Sequence, residues 1–123
     1  ALEALHYLRD ISEKEIPLAW KPNFKGLAAI EVYPAGTLKA RGLRHSGYKK
    51  SEQINERREI ADALATDILG LNEYIEGNVD IFDACLCLVA AKDFLENLAK
   101  PPCDDDLQLA KREGWIWVRT PDR

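Results

Sequence analysis

The chain has 123 residues, of which 46% are hydrophobic and 31% charged, and a formal net charge of −4. This length supports a single domain over residues 1–123 with a real core, and the composition excludes a disordered or fibrous protein. A net negative chain does not coat nucleic acid over its whole surface, although it can still carry a local basic groove.

Leu2, Leu5, Leu8 and Ile11 recur at helical spacing and predict a short amphipathic helix ending near Ser12. Pro17, Pro22 and Gly26 make 13–26 a loop. The run Leu27-Ala28-Ala29-Ile30-Glu31-Val32-Tyr33 is short, apolar and bounded by Gly26 and Pro34, so it reads as a strand. Thr37 to Arg41 can form a short helix stopped by Gly42, and His45-Ser46-Gly47 is a turn. Ser51 can cap a helix whose apolar face, Ile54, Ile60, Ala61, Leu64 and Ile68, reaches Gly70. Leu71 to Glu76 suits another helical turn. The longest expected helix covers 79–98, with Asn78 as its cap. It is apolar on nearly all sides of its first half, which predicts a buried helix. Asp104 can cap a last short helix over Asp105 to Arg112, and the alternation Trp115-Ile116-Trp117-Val118-Arg119 reads as a second strand.

Three cysteines, Cys85, Cys87 and Cys103, do not make a disulfide framework and are expected as reduced thiols of a cytoplasmic protein. The longest apolar stretch, Ile81 to Ala91, contains Asp83 and falls short of the ~20 residues that span a bilayer, so no membrane segment is expected. The chain opens on Ala1 and holds no methionine, which fits a piece of something longer.

Two features bear on chemistry. Glu31 interrupts an apolar strand, and a carboxylate there must be solvated, paired or bound to a cation. It precedes a stretch, Val32 to Ser51, with no acid but with Lys39, Arg41, Arg44, His45, Lys49 and Lys50. An acid beside a basic connector is compatible with a metal site facing a phosphate-bearing substrate, although these residues alone favour a solvated edge residue next to an exposed loop. Asp80 and Asp83 stand at the entrance of the long helix, i and i+3, near enough in projection to face one cation. The helix dipole accounts for Asp80. Asp83 sits deeper, among Ile81, Phe82, Ala84 and Cys85, and needs a partner: a divalent metal, or Arg57 or Arg58.

Five short motifs, in order, carry a resemblance: Ala29-Ile30-Glu31-Val32-Tyr33-Pro34, Gly47-Tyr48-Lys49-Lys50, Asp80-Ile81-Phe82-Asp83-Ala84, Ala90-Ala91 and Glu113-Gly114-Trp115-Ile116-Trp117. From about Leu27 to Val118 the chain resembles the family described as predicted RNase H-like nucleases (domain of unknown function 429). The resemblance implies an α/β fold of RNase H-like type, here the C-terminal portion of the domain. The remainder would be helix-rich with two strands and would lack the N-terminal strands. It also implies a carboxylate cluster of Glu31, Asp80 and Asp83, catalytic and metal-binding, holding Mg²⁺ or Mn²⁺ for phosphodiester hydrolysis. Tyr48, Lys49 and Lys50, which match the family's motif, would contact substrate phosphates, with Arg44 of the basic connector as a further candidate contact, while Trp115 and Trp117 would pack and close the domain. No Asp lies in a strand before Glu31, so the site would be incomplete in one chain, and an exposed strand edge at 27–33 predicts a homo-oligomer or complex. The expected function is a divalent-metal nuclease or part of one. The alternative is a non-catalytic module that binds nucleic acid through the basic connector, or binds protein.

Overall fold

The computed structural model describes residues 2–121. It contains five α-helices, α1 (Leu2–Ser12), α2 (Pro34–Ala40), α3 (Ile54–Ala63), α4 (Val79–Leu95) and α5 (Leu107–Glu113), with 3-10 turns at Leu71–Tyr74 and Asp104–Asp106.

The helices start and stop where local chemistry dictates. Pro34 occupies the first turn of α2, where its missing N–H costs nothing. Gly42, at φ +72°, ends that helix, with Leu43 N–H donating to Leu38 and Gly42 N–H to Lys39. The same arrangement closes α4, where Asn97 takes φ +60° and Leu98 N–H reaches the Asp93 carbonyl at 2.8 Å. At its other end the Asn78 side chain accepts from Asp80 N–H at 2.8 Å. The expected Ser51 cap does not form. The Ser51 hydroxyl turns to Glu52, Gln53 precedes the first residue of α3, and that helix stops at Ala63 instead of Gly70.

The expected α/β, RNase H-like architecture is corrected: among the described residues there is no β-strand and no sheet, only isolated bridges. The runs at 27–33 and 115–119, expected as strands, carry only isolated bridges at Ala29, Glu31, Ile116 and Arg119, because each finds too little to pair with. Ala29 exchanges bonds with Pro17 and Ala19, and Glu31 accepts from Trp117 N–H at 2.9 Å. Pro17 has no N–H to extend the first contact, and Pro34 turns the chain into α2 one residue after Tyr33. A ladder needs consecutive pairs, and here each pairing ends after one bridge.

Two apolar clusters hold the elements. The larger joins Leu38 of α2, Tyr48 of the connector, Ile60, Ala61 and Leu64 around α3, and Phe82, Leu86 and Val89 of α4. Each of its Leu, Ile, Val and Phe side chains contributes about 1.5–3 kcal/mol of burial. The smaller joins Ala19, Phe94, Ala99 and Trp117, with Trp117 edge-on to Phe94 at 4.7 Å between ring centroids. Trp117 thus packs, as expected. The expectation that α4 is buried all round is corrected: Ile81, Leu88 and Leu95 are about half exposed or more and share one stripe of the helix.

The connector between α2 and α3 is held from inside by Arg57. Its side chain is fully buried, and its guanidinium donates to the carbonyls of Ile75 and Tyr48 at 2.6 Å each, Lys50 at 2.8 Å and Ser51 at 3.3 Å. A guanidinium can satisfy several carbonyls at once because its donors form a rigid planar fork. The loop that carries Tyr48, Lys49 and Lys50 is therefore fixed by side chain to backbone bonds in place of a sheet.

Candidate functional site

Asp83 projects from the second turn of α4 toward the connector. One of its oxygens accepts from the Tyr48 hydroxyl at 2.9 Å, and the other lies 3.0 Å from Lys49 Nζ. The carboxylate is 19% exposed and the lysine 56%, so the pair stands at the solvent boundary. Tyr48 is buried against Phe82, with ring centroids 6.0 Å apart, and Lys49 Nζ also sits 5.8 Å from the Tyr48 ring centroid. Burial, and then the bond to Asp83, push the Tyr48 phenol well above its ordinary range. The bond to Asp83, opposed by slight desolvation, raises the Lys49 ammonium. The result is a carboxylate held by a neutral buried donor and capped by a largely exposed cation.

The other expected site residues are placed differently. Asp80 is exposed one turn before Asp83. Arg44 donates through Nε to Glu59 at 2.7 Å on the surface, and Lys50, next to Lys49, is exposed. Arg57 and Arg58 are not the partners of Asp83: Arg57 binds carbonyls, and Arg58 reaches Asn55. Glu31 is half-buried, and its Oε2 accepts from Trp115 N–H at 3.1 Å. A Cβ on Gly114 would come within 2.5 Å of that oxygen, and Gly114 sits at φ +101°. Glu31 thus fastens the 114–117 segment to 28–33 through both side chain and backbone.

A divalent metal does not fit these residues as a complete centre. Among the described residues no three His, Cys, Asp or Glu side chains are grouped so as to hold a metal ion. Glu31, Asp80 and Asp83 do not form a three-carboxylate cluster within the chain. Cys85 and Cys87 are half-buried and Cys103 is exposed, all unbridged, and burial raises the Cys87 thiol. Among the described residues no helix is long and apolar enough to cross a membrane.

Reasoning on sequence missed a second polar cluster. Asp93, buried in the apolar C-terminal half of α4, receives Arg41 Nη2 at 2.6 Å, Arg41 Nε at 3.2 Å and Arg119 Nη1 at 3.2 Å. Asp67 receives Arg41 Nη1 at 3.0 Å and Lys92 Nζ at 3.2 Å. The available signal was an acid inside an apolar helix, the same signal that singled out Asp83.

Comparison with known families decides the kinship. The family described as "Protein of unknown function (DUF429)" matches residues 2–108. The chain belongs to this family. No curated protein and no solved structure matches it. In this DUF429 member the first four motifs of the resemblance fall within the matched residues, and the last, Glu113 to Trp117, lies beyond them. That last motif meets the first in space, through Glu31, Gly114 and Trp115.

Proposed function

We propose that this DUF429 protein contributes one part of a divalent-metal nuclease site, with Asp83 as its central carboxylate and Lys49 and Lys50 as phosphate contacts. The observation that carries the reading is the Tyr48–Asp83–Lys49 group. A fully buried tyrosine fixes a carboxylate at the solvent boundary, and the cation over it is exposed enough to move aside. Asp80 one turn earlier offers a second acid. The resemblance of the motifs supplies the reaction class, phosphodiester hydrolysis with Mg²⁺ or Mn²⁺. Because one chain does not group three acids, the remaining ligands come from a second copy, seated on the extended segment at 27–33. Leu27, Tyr33 and Ile116 around that segment are each more than half exposed, which supports such a contact. The direct test is cleavage of labelled single-stranded DNA and RNA with Mn²⁺, comparing the protein with Asp83→Asn. Loss of cleavage in the variant supports the reading. Absence of cleavage by the parent at concentrations where it self-associates overturns it.

A second reading is favoured by the Asp83–Lys49 ion pair itself, which already satisfies the carboxylate without a metal. The protein would then be a non-catalytic module binding nucleic acid through the connector. It is recognised by salt-dependent binding in EDTA that weakens when Lys49 and Lys50 are changed to Ala.

A further inference from the structure

The C-terminal end of α2, the Gly42 turn and the segment at 119–121 enclose a cleft of about 560 Å³, lined by Lys39, Arg41, Gly42, Asp67 and Arg119 among others. Arg41 is its floor, with its side chain only 10% exposed. The guanidinium has five N–H donors. Three are engaged, through Nε and Nη2 on Asp93 and Nη1 on Asp67, which leaves two to face other acceptors. Both carboxylates behind it are shared: Asp93 also takes Arg119, and Asp67 also takes Lys92. Lys39 stands exposed on the wall. Among the described residues, with Arg119 left aside, Lys39 on the wall and the linked Arg41, Lys92, Asp67 and Asp93 behind it carry three positive charges against two negative, an excess of positive charge around a rigid, nearly buried fork. Such a fork matches the geometry of a phosphate.

We propose that this cleft binds a phosphate group, as inorganic phosphate or as the terminal phosphate of a nucleotide. It is separate from the Asp83 group: Asp93 lies about 15 Å further along α4. The inference is independent of the nuclease reading.

The test is a thermal melt of the full chain titrated with inorganic phosphate and, in parallel, with a 5′-mononucleotide, at ionic strength held constant with chloride. Replacing Arg41 would take two of the three hydrogen bonds from the buried Asp93 and could unfold the chain, so the variant used is Lys39→Glu on the exposed wall, with Lys14→Glu as a charge-matched control outside the cleft. The proposal expects a saturable rise in Tm with phosphate, weakened about tenfold or more in Lys39→Glu and retained in Lys14→Glu. A stronger response to the mononucleotide than to phosphate identifies the terminal phosphate of a nucleotide as the source, and equal responses identify free phosphate. No saturable rise beyond chloride, or equal loss in both variants, overturns it.

Discussion

Tyr48 donates its hydroxyl to Asp83 across 35 positions of chain, at 2.9 Å, and this bond joins the connector to the entrance of α4. The tyrosine is buried and the carboxylate is at the boundary, so the bond serves both residues: it satisfies a buried phenol and aims a surface acid.

The bond makes stability depend on alkaline pH. The Tyr48 phenol is raised above its ordinary value of 10.0, mainly by burial and then by Asp83. The unfolded chain therefore releases this proton at lower pH than the folded one. Stability from this group is complete below about pH 10 and falls as pH rises above it. Urea denaturation between pH 8.5 and 11 is expected to show this fall in the parent and a shallower one in Tyr48→Phe. At pH 7 that variant is expected to lose about 1 kcal/mol, the net worth of one hydrogen bond.

Arg57 is expected to dominate the stability of the connector. Arg57→Met removes the Arg57 donors from the carbonyls of Tyr48, Lys50, Ser51 and Ile75, of which Lys50 keeps the Gln53 N–H, and is expected to cost about 3–5 kcal/mol in chemical denaturation. Arg57→Lys is expected to recover little, since an ammonium cannot reproduce the planar fork. Arg58→Met, one residue away on the exposed face, is expected to change stability by less than about 0.5 kcal/mol.

Gly114 and Glu31 are expected to be coupled. Gly114→Ala places a Cβ against Glu31 Oε2 at a φ of +101° and is expected to cost about 1–3 kcal/mol. In Glu31→Ala the steric part of that cost disappears while the backbone part stays. The double variant is therefore expected to be more stable than the sum of the two single changes predicts, by about 0.5 kcal/mol or more in a double-mutant cycle.

Much of the helical content could be read from particular residues. Gly42, Asn78 and the apolar run of α4 act through local chemistry, and the helices start or stop beside them, whereas α2 begins at Pro34, three residues before the expected Thr37. The runs at 27–33 and 115–119 read as strands, and their lack of a ladder was not legible, because whether a strand finds consecutive partners depends on what lies beside it. The partner of Asp83 was illegible for a related reason. Arg57 and Arg58 have the right charge, but the fold buries one among carbonyls and turns the other outward, while Tyr48 and Lys49 arrive from the connector. Arg41 was visible as part of a basic stretch. Its pairing with Asp93 and Asp67 is purely tertiary, and it leaves less of that stretch free than the charge run suggests.

The exposed apolar residues predict self-association. Tyr33 is 53% exposed and Leu27 65% beside the extended segment. Sedimentation velocity is expected to show a concentration-dependent dimer, and Tyr33→Lys is expected to shift the protein to monomer with little change in its own unfolding midpoint. A monomer for the parent up to high micromolar concentration would remove the second copy as the source of missing ligands.

The role of Asp83 is tested most directly by a thermal melt with and without millimolar Mn²⁺ on three proteins: the parent, Asp83→Asn and Lys49→Ala. A ligand that binds only the folded state raises its stability, by about 2.7 kcal/mol at a hundredfold excess over its dissociation constant. The account predicts a rise in the parent, a larger one in Lys49→Ala, where the competing ammonium is gone, and none in Asp83→Asn. Equal responses in all three, or none in any, would contradict it and leave Asp83 as a structural partner of Tyr48 and Lys49.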